Sequence, residues 1–143
     1  MSSSQERQRE IAERISGAFV DAYTTGATGL LDDVVTDDFV CHHLASGQEL
    51  HGAEAYKARI REMRAAFPDF SMAEEALLVD GERAAGHYRW SGTHEGEFMG
   101  VPGTGNRIDT RSLTMMRTEG DRVAEMWIYG DGRGLLEQLG AER

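Results

Sequence analysis

The sequence predicts a single α+β domain, and three observations carry that expectation. Apolar residues recur at helical spacing in the first half of the chain, and alternate between turn signals in the second. The 143 residues suffice for one buried core without disulfide or metal staples.

Ile11, Ile15, Phe19 and Tyr23 recur every four residues beside Ala12, Ala18 and Ala22, which predicts an amphipathic helix over 5–24 that ends in the glycine-containing stretch 26–29. Leu30, Leu31, Val34 and Val35 fit one short helical piece, after which DDFVCHHL at 37–44 opens a strand. Tyr56, Ile60, Met63 and Phe67 share a stripe, so a second helix is expected over 53–67, stopped by Pro68. From there the period falls to two. Residues 70–79 lead into an Asp80-Gly81 turn and 83–94 return. Residues 107–117 and 122–129 form a hairpin around Glu119-Gly120-Asp121, and 135–139 close the chain as a short helix.

Composition removes several function classes. The 25 acidic residues against 15 Lys and Arg give a net charge of -10, which repels phosphate backbones and anionic lipid, so neither nucleic acid nor a membrane is an expected partner. No stretch approaches the roughly 20 apolar residues of a membrane span. The opening MSSSQERQRE lacks the apolar run of a signal peptide, so a cytoplasmic location is expected. Cys41 is the only cysteine, leaving no intrachain disulfide and no cysteine-rich metal site. His42 and His43 point to opposite faces of a regular strand and cannot both ligate one ion, so no metal is expected.

The last hairpin sorts side chains onto faces. With Arg117 opposite Arg122, Thr114 faces Glu125, Ser112 faces Trp127 and Thr110 faces Tyr129, while Ile108 approaches Asp131. Glu125, Trp127, Tyr129 and Asp131 then share the inner face, and Leu113, Met115, Met126 and Ile128 the outer one. A curved antiparallel sheet with helices on its concave side would gather Trp90, Trp127 and Tyr129, with Asp131 and His94 toward the mouth. The stretch WSGTHEGEFMGVPGTGNRI at 90–108 has the glycines of a loop but carries Phe98, Met99 and Val101, which predicts a loop that caps an apolar cavity. The exposed apolar outer face predicts a homodimer.

DDFVCHH at 37–43, AAFPDF at 65–70, GTHEGEFMGVPGTGNRI at 92–108 and RVAEMWIYGDGRGLLEQLG at 122–140 resemble, in order and spacing, the SnoaL-like polyketide cyclase family of ester cyclases, part of the nuclear-transport-factor-like fold superfamily. The resemblance implies a cone-shaped α+β barrel, a curved antiparallel sheet wrapped around N-terminal helices with a closed-ended pocket. It also implies no cofactor and a hydrophobic small-molecule substrate. In the family an aspartate near the end of the last long strand is the acid/base of an intramolecular aldol closure of a polyketide ester. The ExWxxxD pattern places it at Asp131, with His42 as a pocket donor. Trp90, His94, Phe98, Ser112, Thr114, Trp127 and Tyr129 are the candidate substrate-binding residues.

Such a closure needs a base for a carbon flanked by carbonyls and donors for the enolate oxygen. Asp131, desolvated between Trp127 and Tyr129, would have its pKa raised toward useful basicity, with Tyr129, Ser112, Thr114 or His42 as donors. Asp131 also precedes a helix, where Asp is a preferred N-cap, and the sequence leaves both roles open. Two other functions remain: a non-catalytic ligand-binding domain, since fold does not fix chemistry, and an epoxide hydrolase-like Asp109–Arg111–Asp131 arrangement. The register above disfavours the latter, because it turns Asp109 and Arg111 away from Asp131.

Overall fold

α1 (Ser3–Thr25) buries the expected stripe of Ile11, Ile15, Phe19 and Tyr23 and stops at Gly26, whose φ of +83° is left-handed. The structure, a computed structural model, describes residues 3–44 and 46–140. The last turn of α1 holds no basic residue. Arg64 supplies the missing cation from the next helix, its Nη1 donating to the carbonyls of Tyr23 (2.9 Å) and Thr24 (2.8 Å).

A 3₁₀ turn at Thr28–Asp33 follows, beginning and ending two residues earlier than the expected helical piece. Val35 already belongs to β1 (Val35–His43) and pairs with Val123, as suits a β-branched residue on a buried strand. β2 (Gln48–His51) was not anticipated, because its single buried residue, Leu50, shows no alternation to read. α2 (Ala53–Ala66), β3 (Ser71–Asp80), β4 (Arg83–Thr93), β5 (Arg107–Glu119), β6 (Arg122–Gly130) and α3 (Gly132–Gln138) match the expected elements to within a few residues.

The strands form one curved, unclosed sheet in the order β2-β1-β6-β5-β4-β3, with the helices packed against it. The sheet is mixed where an antiparallel one was expected, because β1 runs parallel to β6. A parallel neighbour needs a long connection, and here the whole of 44–121 provides it. No local pattern in the sequence marks a partner that distant.

The β5–β6 register also differs. Glu119 pairs with Arg122 across a two-residue turn at Gly120-Asp121, and Ala124 forms a bulge between the pairs Thr118–Val123 and Arg117–Glu125. Thr114 therefore faces Ile128 and Ser112 faces Gly130. The displacement from Glu125 to Ile128 is three residues, an odd number, so the faces of β6 are exchanged relative to the expectation. Met126 and Ile128 lie inside at 4% and 8% exposure, while Leu113 and Tyr129 are outside at 46% each. Met126 and Ile128 thus leave the proposed outer patch, and Trp127 and Tyr129 join it.

The loop 94–106 is tied down along its length. His94 N donates to Asn106 O (2.9 Å), and Glu95 N and Gly96 N donate to Ala66 O at the end of α2. Phe98 and Val101 exchange two backbone hydrogen bonds across Met99 (φ +54°) and Gly100 (φ +77°), a tight turn with both central residues left-handed. Gly103 passes so close to the Glu95 carbonyl that a Cβ there would clash with backbone. This closure brings the Phe98 ring to 5.1 Å from Phe67 and packs Phe98 against the core, with Met99 beside it still half exposed.

Candidate active site

Between α1, α2 and the concave side of the sheet lies a cavity of about 280 Å³, just below the usual range for ligand pockets. α1 gives it Ile15, Ser16, Phe19 and Tyr23, and α2 gives Tyr56, Arg59 and Met63. The sheet adds Tyr88, Trp90, Ser112, Thr114, Met126 and Ile128. Phe98 and Met99 reach it from the loop, and Asp131 and Leu135 from the end that follows β6. Of the residues singled out in the sequence, Trp90, Phe98, Ser112, Thr114 and Asp131 line it.

Four others do not. Trp127 and Tyr129 are on the outer face for the register reason given above. His42 is also outside, its ring stacked on Trp127 (5.6 Å, 20°) with Nε2 2.8 Å from Glu125 and Nδ1 3.1 Å from Glu49. The hydrogen bond to His42, and then that to Arg117, hold the Glu125 carboxyl below its usual range. His94 is fully buried in the hinge of the loop. Its Nδ1 accepts from Thr104 N (3.3 Å) and contacts Thr104 Oγ1 (3.0 Å), and its Nε2 is buried without a partner. It fixes the loop and does not line the cavity.

The histidine that does line the cavity is His43. Phe39 and Cys41 are buried on the inner side of β1, and the strand's alternation carries His43 inward with them. Arg59 Nη2 donates to its Nε2 (2.9 Å), which leaves Nδ1–H to donate to Ser46 Oγ (2.9 Å). Burial, reinforced by the Arg59 charge, lowers its pKa to about 4. At neutral pH it is an uncharged imidazole in a fixed tautomer. Cys41 beneath it is pushed up to about 12 by burial and stays a thiol.

Two further polar groups reach the wall. Ser16 Oγ donates to Glu74 (2.6 Å), so its contact with the Tyr88 hydroxyl (2.6 Å) is one in which Tyr88 donates and keeps only lone pairs for a ligand. The Tyr23 and Tyr56 hydroxyls pair at 2.8 Å.

Asp131 is the N-cap of α3, Oδ1 accepting from Gly134 N at 2.8 Å, and it lines the cavity as well. Capping and facing the cavity are therefore compatible at this position. Asp131 is exposed, and the rings expected to desolvate it lie across the sheet. Asp109 pairs with Arg89, and Arg111, although it also borders the cavity, pairs with Glu75, so the other two charges of the epoxide hydrolase-like trio are engaged by side chains other than Asp131. Among the described residues no group of three His, Cys, Asp or Glu side chains could hold a metal ion, and no helix is long and apolar enough to cross a membrane.

The sequence reading missed Arg59, His43, Tyr23, Tyr56 and Ser16 as wall residues. A signal existed for two of them. Arg59 follows Tyr56 by three and precedes Met63 by four, which puts a cation on an apolar stripe. Phe39-x-Cys41-x-His43 gives the parity of β1.

The SnoaL-like polyketide cyclase family model matches residues 13–139. The chain belongs to that family. Among curated relatives, the aklanonic acid methyl ester cyclase DauD of Streptomyces sp. (strain C5) is 29% identical over 128 residues, covering 85% of this chain and 76% of its own. The nogalonic acid methyl ester cyclase of Streptomyces nogalater is 25% identical over 122 residues, covering 85% and 91%. Of the solved structures, TsrD from Streptomyces laurentii superposes with a TM-score of 0.84 at 28% identity, over 94% of this chain and 98% of that one. In this SnoaL-like chain the ExWxxxD pattern ends on the aspartate at the cavity.

The His43 site predicts a pH dependence of stability. With a folded pKa near 4 and an unfolded one near 6.5, only the unfolded chain binds this proton between those values. Stability should fall as pH drops through that window, with a slope from this group of at most about 1.4 kcal/mol per pH unit, less for a half-buried ring. Urea unfolding at pH 7 and pH 5 checks it. The stability lost should be smaller in His43→Gln, and an unchanged loss contradicts the assignment.

Proposed function

We propose that this SnoaL-like chain closes a ring in a polyketide ester or related carbonyl substrate by an intramolecular aldol reaction, with Asp131 as the proton carrier and no cofactor. The observation that carries the reading is the Asp131 carboxylate, held by Gly134 N at one end of a cavity whose wall also offers the hydroxyls of Ser112 and Thr114. The carboxylate takes a proton from a carbon flanked by carbonyls, and the hydroxyls donate to the enolate oxygen. The enolate carbon then attacks a second carbonyl of the same molecule, and the protonated Asp131 returns its proton to the new alkoxide. Product and substrate are isomers.

The names of the two relatives as methyl ester cyclases support this substrate class. We further read the chain as a cytoplasmic homodimer associating through the outer face that carries Leu113, Trp127 and Tyr129. A second reading, a non-catalytic ligand-binding domain, is favoured by the capping bond, which gives Asp131 a structural task of its own.

Incubation with aklanonic and nogalonic acid methyl esters tests the cyclase reading. The expected result is a product of unchanged mass with one more ring, together with deuterium exchange at the activated carbon in heavy water. Absence of both, from folded protein, leaves the binding domain as the better reading.

A further inference from the structure

The ladder between β5 and β6 ends at the pair Ser112–Gly130, and Asp131 is the first residue past it. Beyond that point β6 no longer covers the start of β5, and α3 takes its place. Asp109 of β5 lies opposite Ser91 of β4 on one side and meets the Gln138 side chain on the other. Gln138 Oε1 accepts from Asp109 N at 2.8 Å, and Gln138 Nε2 donates to Asp109 O at 3.0 Å. One side-chain amide thus makes the pair of bonds that a neighbouring strand residue would make there. The main chain of the same glutamine holds the capping loop, its O accepting from Asn106 Nδ2 at 3.2 Å.

At the other end of α3 the Asp131 carboxylate lies over Gly134. Its Oδ1 accepts from Gly134 N at 2.8 Å, and a Cβ on Gly134 would collide with its Oδ2. The carboxylate is therefore placed by wherever α3 places Gly134. Leu135 and Leu136 pack against the core and Leu139 is fully buried, but apolar burial has no direction and fixes neither the slide nor the rotation of a short helix. Hydrogen bonds do have length and direction. The two from Gln138 run to β5, the strand that also carries Ser112 and Thr114 to the cavity wall.

We propose that Gln138 is a positioning residue for Asp131: its amide locks α3 to β5 and so fixes the proton carrier relative to the hydroxyls that receive the enolate oxygen. The proposal deepens the cyclase reading and rests on it for the role of Asp131. Gln138 is itself exposed and does not line the cavity, so it acts only through what it holds. Proton transfer to a carboxylate tolerates little error in placement, since a misplacement of about 1 Å can cost about 10²-fold in rate.

Gln138→Met keeps the length of the side chain and drops both bonds. With the aklanonic or nogalonic acid methyl ester as substrate, kcat should fall about tenfold, while KM stays within about twofold. Placed on Asp131→Asn, the same substitution should cost less than about twofold more, because groups that act as one unit are not additive. Gly134→Ala improves helix propensity but pushes the carboxylate aside, and should fold and reproduce the loss in kcat. A readout independent of turnover is the Gly134 amide proton, whose resonance should follow the ionisation of the carboxylate it is bonded to. The amplitude of that titration should shrink in Gln138→Met and vanish in Asp131→Asn, whereas a merely structural loss would lower the folded fraction and leave the titration of folded molecules as it was. If the wild type turns over neither ester, the cyclase reading falls and this amplitude alone decides whether Gln138 positions the carboxylate. Turnover by Gln138→Met within about twofold of wild type, a loss that persists in full on Asp131→Asn, or an unchanged Gly134 amplitude overturns the assignment.

Discussion

Asp131→Asn is expected to fold with nearly unchanged stability, to bind ligand, and to lose about 10²-fold or more in turnover. Asparagine is as good an N-cap as aspartate, so the bond to Gly134 N survives. What it lacks is the basic carboxylate that takes the proton. KM should move little, because the carboxylate acts on the reacting carbon and is not what holds the molecule. Asp131→Ala removes both functions and should cost about 0.5–2 kcal/mol in addition. The pair of variants therefore separates cap from base, with steady-state kinetics reading one and urea unfolding the other. A folded Asn variant with full turnover would refute Asp131 as the proton carrier.

The helices were legible in the sequence because each shows its own buried stripe: Ile11 to Tyr23 and Tyr56 to Met63 are spaced as one face of a helix and are buried as one. The strands were legible as strands but not as faces. A strand's side is set by its register, and the β5–β6 register depends on a two-residue turn and the bulge at Ala124. Both strands carry apolar residues on both sides, so neither pattern announced the bulge. That single feature moved Trp127 and Tyr129 out of the cavity and brought Met126 and Ile128 in.

The histidine pair shows the same dependence on a smaller scale. Phe39 and Cys41 define the inner side of β1, and counting from them leads to His43, whereas the motif alone drew attention to His42. Arg59 escaped notice for a different reason. Charges on helices are ordinarily solvated, and only the position of this one on the stripe between Tyr56 and Met63 distinguishes it. Asp131 was legible because its place in ExWxxxD does not depend on register: it follows the strand's last residue, Gly130, and caps α3 whichever way β6 faces.

Phe67→Ala is expected to be the most destabilising single substitution considered, at about 3–5 kcal/mol. Phe67 is fully buried at the C-terminal end of α2, where its N–H still bonds Met63 O. Its ring touches three others from different parts of the chain: Trp90 of β4 at 5.4 Å, His94 at the loop hinge at 5.7 Å and Phe98 at 5.1 Å. β4 is fitted around it, since a Cβ at Gly92 would lie 2.8 Å from the Phe67 Cβ. Removing the ring leaves a void that these neighbours cannot close without moving the backbone of 94–106. Against a total of about 5–15 kcal/mol for a domain, the loss should lower Tm by on the order of 10 °C. It should also raise hydrogen exchange in the loop and weaken ligand binding, because Phe98 loses the surface that holds it over the cavity. Phe67→Leu refills most of the volume and should cost less than about 1.5 kcal/mol, yet it offers Phe98 no ring to pack on edge-to-face. Chemical unfolding gives the stabilities, and exchange resolved along 94–106 shows whether the loop follows. Phe67→Ala within about 1 kcal/mol of wild type, or a loop whose protection is unchanged in both variants, would mean that the cap is held by its backbone bonds alone.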